Sequence, residues 1–410
     1  MPGALSHLTV LDLSRVLAGP WCTQFIADLG ACVIKIEKPG SGDDTRAWGP
    51  PWLRDANGAD TPEAAYYLAC NRGKRSVAVD FTQPEGQAIV RELAVQADIV
   101  VENFRVGGLA KYGLDYANLS AINPRLVYCS ITGFGQTGPY ADRAGYDFII
   151  QGIGGFMSVT GERDDLPGGG PQKAGIAIAD LMTGMYASSA ILAAIAQRDV
   201  CGRGQYIDTA LLDTTVAMMA VMNMNYLVSG KPPGRPGNAH HNIVPHQVFA
   251  CADGHLILAV GNDGQFAKFC ELAGVPGFAA DPRFAKNADR VAHRGQLVPL
   301  VAGVLRERTQ REWLDLLEPA GIPCGPINRI DQVFADPQVI ARGMRVDLPH
   351  PLAGTVPQVG NPVRFSATPV SYGLAPPLLG EHTAEILGER LGFADATIAE
   401  LARRGVVGVR

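Results

Sequence analysis

A single carboxylate stands in the segment GIAIADLMTGMYASSAILAAIAQ (175–197), whose other side chains are small or apolar. Asp180 is its only charged residue. Two chemistries fit this placement. An aspartate ahead of an apolar helical run is a preferred N-cap, and an ionised aspartate at a helix N-terminus can act as a nucleophile. The two roles are compatible, and the residues alone leave both open.

Basic and amide side chains flank three strand-like runs, in a pattern that suits a phosphate-bearing ligand. Taken singly, each of these residues is typical of solvated surface charge. Taken together, three segments that meet at one edge of a sheet predict a polyphosphate site. The residues are Lys38 and Arg46 in the first segment, Asn71, Arg72, Lys74 and Arg75 in the second, and Asn103, Arg105 and Lys111 in the third.

The segment GFGQTG (133–138) matches the dinucleotide fingerprint G-x-G-x-x-G after a strand-like run. Pro139 follows at once, and no acidic residue closes a second strand about 20 residues further on, as the fingerprint requires. The sequence therefore argues against a nicotinamide or flavin site. It predicts that these glycines shape a loop at the carboxyl edge of an open α/β sheet, where such sheets bind ligands.

Alternating strand and helix signals must position these residues. Short β-branched runs occur at 8–13, 32–37, 75–81, 98–104 and 125–132, and a helical pattern fills 84–97. Strand, helix and strand at this spacing predict βαβ units and an open, Rossmann-like parallel sheet. The Asp253–Gly254 pair predicts a hairpin in a second, smaller domain near 230–330, after a linker rich in Pro and Gly.

Composition narrows the class of protein. The 410 residues carry a net charge of −5, without the basic excess that nucleic-acid binding uses. The eight cysteines form no CxxC pair and no Cys/His cluster, which argues against a zinc site and a disulfide framework. No signal peptide and no membrane span is expected. We therefore expect a cytoplasmic enzyme.

The motifs together resemble those of the family III CoA-transferases, the formyl-CoA and carnitine CoA-transferase group, over nearly the whole chain. The resemblance implies a large Rossmann-like domain built from residues 1–228 and 331–410, and a small α+β domain over 229–330. It also implies a homodimer of two interlocked, ring-like subunits. The matching segments are VLDLSRVLAGPWCTQFIADLGACVIKIEKPGSGDDTR, NRGKRSVAVDF, VENFRVGGLAKYGL, SITGFGQTGPYADRAGYDF, IADLMTGMYASSAILAAI, GRGQYIDTALLD, GIPCGPI and PPLLGEHT.

The resemblance also implies roles for individual residues. Asp180 falls on the catalytic aspartate, and no metal or tightly bound cofactor is implied. His240 and His241 are candidates for substrate contact, with a plain polar loop as the equal alternative. The residues expected to bind CoA are Arg15, Val16, Lys38, Asn71, Lys74, Arg75, Asn103, Phe104, Arg105, Lys111, Ala144, Gly145, Tyr146 and Asp147.

The chemistry implied by the resemblance is covalent transfer of CoA from an acyl-CoA to a free acid, through an aspartyl–acyl anhydride and an aspartyl–CoA thioester. Leu17 replaces the Gln of the formyl-CoA branch, which argues against formate and oxalate. The segments GDDTRAWGPP, AHHNIVPHQVF and GNDGQF are most similar to the branch that moves CoA from succinyl-CoA to glutarate and other short dicarboxylates.

Two other functions stay open at this point. One is an α-methylacyl-CoA racemase, which shares the fold but pairs its Asp with a His where this chain has Tyr146. Proton abstraction and return need two positioned groups, so the missing His argues against this reading. The other is a CoA-binding protein without activity, in which Asp180 only caps a helix. Exchange of acyl groups between CoA and a free acid separates these functions.

Overall fold

The computed structural model describes residues 2–410. The strands, in chain order, are β1 (Thr9–Asp12), β2 (Cys32–Glu37), β3 (Trp52–Arg54), β4 (Asp60–Ala64), β5 (Lys74–Val79), β6 (Ile99–Glu102), β7 (Val127–Thr132), β8 (Tyr206–Ala210), β9 (His246–Ala250), β10 (His255–Ala259), β11 (Cys324–Gly325), β12 (Arg345–His350), β13 (Gly354–Val359) and β14 (Val407–Gly408).

Helices connect most of these strands. In chain order they are α1 (Ala18–Asp28), α2 (Ala65–Leu68), α3 (Pro84–Val95), α4 (Tyr116–Ile122), α5 (Asp147–Ile153), α6 (Phe156–Val159), α7 (Ile178–Cys201), α8 (Leu211–Met218), α9 (Val221–Ser229), α10 (Asp263–Leu272), α11 (Pro276–Ala280), α12 (Asn287–Ala292), α13 (Arg294–Leu305), α14 (Gln310–Leu317), α15 (Ile330–Ala335), α16 (Pro337–Ala341), α17 (Thr383–Leu391) and α18 (Asp395–Arg403).

The chain divides into two compact units. Within residues 2–410, unit 1 holds 2–156, 174–223 and 338–410, and unit 2 holds 157–173 and 224–337. Residues 157–173 thus belong with the second unit, whereas the sequence analysis assigns them to the large domain. Their Gly-rich turns carry no periodicity that marks a boundary. Their place in unit 2 is fixed by long-range contacts, such as the ion pair of Asp164 with Arg235.

Unit 1 is built on a sheet with the strand order β14-β5-β2-β1-β6-β7-β8. The six neighbouring strands β5, β2, β1, β6, β7 and β8 are parallel, and their order is that of a dinucleotide-binding fold. Strand β14 joins β5 in antiparallel orientation. The predicted parallel sheet is therefore present. Strand β8 is not among the predicted strands, because its short YIDTA segment lies between two strongly helical stretches.

Burial on both faces explains why these strands are rich in β-branched residues. Leu11, Ile34 and Val77 face a core that includes residues of α3, α17 and α18. Val10 and Val33 face the opposite core, which includes residues of α1 and α7. Both layers therefore fix the carboxyl ends of the strands, from which the site loops project.

The helix α7 is long and apolar enough to cross a membrane by length and composition. Its residues Ala187, Ile191 and Ala194 lie in the core of unit 1, and its main helical neighbour is α1. Apolar side chains of α7 therefore pack in the core of unit 1.

Unit 2 contains the predicted hairpin. Strands β9 and β10 pair in antiparallel register around the Asp253–Gly254 turn, and β11 joins β10. The helices of unit 2 pack around a separate core that includes Phe249, Phe269 and Trp313.

Candidate active site

Asp180 is the third residue of α7, and its side chain does not cap the helix. The Oδ1 atom of Asp147 takes that role from outside the helix, accepting the backbone N–H groups of Ala179 at 2.7 Å and Asp180 at 3.2 Å. The N-cap interpretation of Asp180 is therefore wrong. Asp147 accepts hydrogen bonds from the N–H groups at the start of α7, and this leaves the carboxylate of Asp180 available for chemistry.

Asp147 is itself held in place. Its Oδ2 accepts a hydrogen bond from Gln151 Nε2 at 2.6 Å, one turn further along α5. The Oε1 atom of Gln151 accepts the backbone N–H of Ala174 at 2.8 Å. Asp147 is predicted to bind CoA, and its observed contacts fix the start of α7.

The environment of Asp180 changes its acidity. Burial raises the pKa of Asp180, and the nearby Asp147 carboxylate adds to the effect, which brings the pKa to about 7. The Tyr66 hydroxyl lies close enough to respond: burial first, and the Asp180 charge second, raise the pKa of Tyr66 to about 12. Asp180 therefore changes protonation near neutral pH, and its anion is more basic than an exposed carboxylate.

Asp180 lines a cavity of about 210 Å³ at the carboxyl edge of the sheet, which we call the reaction cavity. Its walls come from the loops after β1, β6 and β7. The structure thus brings together residues that are far apart in sequence. The predicted site residues that line it are Arg15, Val16, Asn103, Phe104, Arg105, Ala144, Gly145, Tyr146 and Asp180.

The loop after β1, residues 14–17, is clamped by Asn103. The side-chain Oδ1 of Asn103 accepts the N–H of Arg15 at 2.9 Å, and its Nδ2 donates to the Arg15 carbonyl at 2.7 Å. Because the amide of Asn103 is engaged at both ends, it shapes this wall of the cavity. The sequence predicts Asn103 at the site but not this positioning contact.

Val16 in the same loop has a left-handed backbone, with φ of 71°. For a β-branched residue this conformation is strained, and strain of this kind clusters at functional sites. The N–H of Val16 donates to both carboxylate oxygens of Asp43, each at 3.3 Å. Lys35 Nζ holds the same carboxylate at 2.9 Å and donates to the Ser14 carbonyl at 2.8 Å. A buried ion pair therefore holds the strained turn.

A second cavity, of about 530 Å³, lies beside the reaction cavity, and four of the six cations predicted to bind CoA line it; we call it the cationic cavity. Its lining also includes the carboxylates of Glu37, Asp43, Asp44 and Asp80. Lys38, Arg105 and Lys111 line it, together with the aromatic rings of Phe104 and Tyr112. No carboxylate of residues 2–410 lies within ion-pair distance of these three cations. The two cavities share four lining residues, namely Arg15, Asp44, Phe104 and Arg105. A ligand with an anionic end and a long reactive arm fits this arrangement.

Two residues predicted to bind CoA are instead buried. Lys74 is fully buried, and its Nζ donates to Asp12 Oδ2 at 3.0 Å, the Pro20 carbonyl at 3.0 Å and Asn71 Oδ1 at 2.9 Å. Asn71 is also fully buried and donates to the Tyr67 carbonyl. All three ammonium protons of Lys74 are thus satisfied within the protein, and neither Lys74 nor Asn71 lines the cationic cavity. Their role in binding CoA stays a prediction.

Arg75 lies at the opposite edge of the sheet from the cationic cavity. It is at the start of β5, while Lys38 directly follows the end of the parallel strand β2. The Nε atom of Arg75 pairs with Glu385 of α17 at 3.1 Å. The expected convergence of three segments on one edge therefore holds for Lys38 and the 103–111 segment, but not for the 71–75 segment.

His240 and His241 belong to unit 2. The N–H of His240 donates to the His246 carbonyl at 2.9 Å, and the ring of His241 contacts the Gly234 carbonyl at 2.9 Å. His241 lines a cavity of about 780 Å³ within unit 2, beside Arg163 and Arg294. Burial lowers the pKa of His240, and neighbouring His246 adds to the effect. A role in substrate contact stays a prediction.

Three site features escaped the sequence analysis: the cap from Asp147, the Asp43 clamp on Val16, and Tyr66 beside Asp180. Asp147 and Asp43 both lie in the recognised segments, but their roles depend on contacts across 33 and 27 positions of the chain. No metal site competes with this arrangement among residues 2–410, where no three His, Cys, Asp or Glu side chains form a suitable group.

Comparison with known proteins places the chain in a family. Residues 5–383 match the sequence profile of CoA-transferase family III. The chain is 54% identical to the succinate–glutarate CoA-transferase of Agrobacterium fabrum, over 94% of this chain and 95% of that protein. It is 42% identical to the human succinyl-CoA:glutarate CoA-transferase, over 98% of this chain and 90% of that protein.

A solved structure supports the same assignment. The crystal structure of a CaiB/BaiF family protein from Brucella suis superposes with a TM-score of 0.83 at 50% identity, over 95% of this chain and all of that chain. The chain is therefore an α/β enzyme of the CoA-transferase class. Within that class it belongs to CoA-transferase family III.

Proposed function

We propose that this enzyme transfers CoA from succinyl-CoA to glutarate or a similar short dicarboxylic acid, with Asp180 as the covalent nucleophile. The observation that carries the proposal is that Asp147, and not Asp180, caps helix α7. The carboxylate of Asp180 is therefore free to react in the reaction cavity, which lies next to the cationic cavity. The choice of acids rests on the names of relatives with 54% and 42% identity over most of the chain.

In the first half of the reaction, the Asp180 carboxylate attacks the thioester carbonyl of the donor. The carbon–sulfur bond breaks, leaving a mixed anhydride on Asp180 and CoA thiolate. The thiolate then attacks the Asp180 carbonyl of the anhydride, which releases the donor acid as its carboxylate and leaves CoA bound to Asp180 as a thioester. This covalent route keeps the thioester energy in the enzyme.

In the second half, the acceptor carboxylate attacks the aspartyl thioester and displaces CoA thiolate, which gives a new anhydride. The thiolate attacks the acceptor carbonyl of that anhydride, so the acceptor leaves as its CoA ester and the Asp180 carboxylate is regenerated. Over the full cycle, one thioester and one free carboxylate are consumed and one of each is formed, and no net proton is needed. Lys38, Arg105 and Lys111 bind the phosphates of CoA, with Arg15 and Phe104 beside its arm.

The test is an exchange assay with the purified protein. Succinyl-CoA is incubated with a panel of free mono- and dicarboxylic acids, and the CoA esters formed are measured by mass spectrometry. We expect CoA esters of glutarate and other short dicarboxylates. Loss of α-deuterium from a branched acyl-CoA without exchange would indicate the racemase reaction, and no conversion at all would indicate a binding protein.

The active form that we propose is an interlocked homodimer in the cytoplasm. Large apolar side chains are exposed on α5 and α7 of unit 1, including Phe148, Ile149 and Tyr186. Such a surface is typical of a protein interface. Because threaded subunits separate only by unfolding, mass photometry at nanomolar concentration should find a dimer. A monomer at equilibrium under native conditions would contradict this assembly.

A further inference from the structure

Arg143 is an exposed cation on the wall of the reaction cavity, and it is not among the residues predicted to bind CoA. It lies between β7 and α5 and lines the same cavity as Asp180. Its guanidinium carbon stands 4.4 Å from the ring centroid of Tyr140 and 5.3 Å from that of Phe134. The two rings meet edge to face at 5.6 Å. The aromatic pair therefore fixes the position of the guanidinium before any ligand binds.

Gly133, the first glycine of GFGQTG, and Gly145 allow this placement. A Cβ on Gly133 would meet Gly145 Cα at 2.5 Å, and a Cβ on Gly145 would meet Gly133 Cα at the same distance. Only glycine at both positions lets the end of β7 and the loop that carries Arg143 approach so closely. The N–H of Arg143 donates to the Tyr140 carbonyl at 2.9 Å, which closes the turn.

The charge of Arg143 is uncompensated within the described residues 2–410. No carboxylate pairs with it there, and its side chain donates no hydrogen bond to another residue. Arg15, on another wall of the cavity, is already paired with Asp44 at 3.1 Å. The rings contact the guanidinium, and its in-plane N–H groups stay available as a planar fork that matches a carboxylate.

We propose that Arg143 binds the distal carboxylate of the dicarboxylic acid whose other carboxylate reacts at Asp180. Arg143 is then the specificity-determining residue for dicarboxylates, acting on both the acceptor acid and the succinyl group of the donor. This inference rests on the proposed function. The competing ligand for an arginine here is a phosphate of CoA, and the experiment separates the two.

The experiment compares glutarate with its monoamide, which has the same length but no distal charge. The variants are Arg143→Met and Arg143→Lys, and each acid is used as acceptor or, where turnover is slow, as a competitive inhibitor. Losing a charge-assisted hydrogen bond should lower kcat/KM or affinity for glutarate about 10- to 100-fold in Arg143→Met, and less in Arg143→Lys. The value for the monoamide should change less than about threefold, the range of a lost surface contact.

Two other arginines serve as matched controls. Arg105→Met, in the cationic cavity, should raise KM for every CoA ester alike, whatever the acid. Arg125→Met, an exposed arginine before β7 at the other end of that strand, should leave all constants unchanged. Equal losses for glutarate and the monoamide in Arg143→Met would overturn the assignment in favour of phosphate binding. Failure of the wild-type enzyme to use any dicarboxylate would instead refute the proposed function.

Discussion

Two aspartates of unit 1, the fully buried Asp12 and the partly buried Asp180, have pKa values that shift in opposite directions. Below the 14–17 loop, burial by itself would raise the pKa of Asp12, but the charges of Lys74 and Lys35 outweigh it and lower the pKa to about 2. In the reaction cavity, burial raises the pKa of Asp180 and the Asp147 carboxylate adds to the effect, which brings the pKa to about 7. Paired carboxylates hold the loop in shape, whereas the unpaired one is kept reactive.

The same contrast applies to the cations. Lys35 and Lys74 are fully buried against aspartates, while Lys38 and Arg105 are exposed without a carboxylate partner among residues 2–410. Breaking a buried pair leaves an uncompensated charge in a region of low polarity, which costs about 3–5 kcal/mol. Removing an exposed cation costs the fold little. The comparison therefore separates residues that support the site from residues that meet the ligand.

The largest effect is expected for Asp180→Asn, which tests whether the unpaired carboxylate is the nucleophile. The change keeps the size of the side chain and, because Asp147 provides the cap, it keeps the fold. We expect a stable protein whose kcat is lower by at least about 10³-fold, since the covalent step loses its nucleophile. Wild-type enzyme mixed with succinyl-CoA and hydroxylamine should be modified at Asp180 alone, as read by peptide mass spectrometry. Full activity of the variant without deamidation would end the nucleophile assignment.

Lys74→Met tests the other region. It leaves the buried Asp12 without its closest cation, so we expect the free energy of unfolding to fall by about 3–5 kcal/mol in urea denaturation. The adjacent Arg75→Met removes an exposed pair and should cost about 1 kcal/mol or less. If Lys74→Met were as stable as Arg75→Met and raised KM for CoA esters, Lys74 would be a ligand contact after all.

The dependence of kcat/KM on pH tests the raised pKa of Asp180. The reactive form of Asp180 is ionised, so kcat/KM should rise with pH and level off above an apparent pKa near 7, losing about tenfold per pH unit below it. Asp147→Asn removes the like charge, so the pKa of Asp180 should fall and the acid limb should move to lower pH. An acid limb that stays in place would show that Asp147 does not act on Asp180 electrostatically.

The smallest expected effect belongs to Lys38→Ala. An exposed cation that meets a phosphate contributes about 0.2–1 kcal/mol, so KM for acyl-CoA should rise up to about fivefold with kcat and the acid preference unchanged. The effect should shrink as salt is added, because exposed charges are screened. A changed preference among acids, with KM for acyl-CoA intact, would contradict the placement of Lys38 at the phosphates.

Much of the framework follows from local sequence pattern. The runs at 32–37 and 125–132 became β2 and β7, and Asp253–Gly254 became the hairpin turn. These elements depend on side-chain period and turn chemistry over a few residues. The strand β8 and the assignment of 157–173 to unit 2 depend on distant partners, and pattern alone did not predict them.

The sequence by itself determined the parallel sheet, the family and the position of Asp180, because each follows from the residue pattern of contiguous segments. Only the tertiary structure decided what each charge does. Lys74 and Lys38 look alike in sequence, yet Lys74 reaches three acceptors under α1 and Lys38 projects from the end of β2. The role of a charged group is set by its burial and its partners, and those partners are supplied by chain segments far away in the sequence.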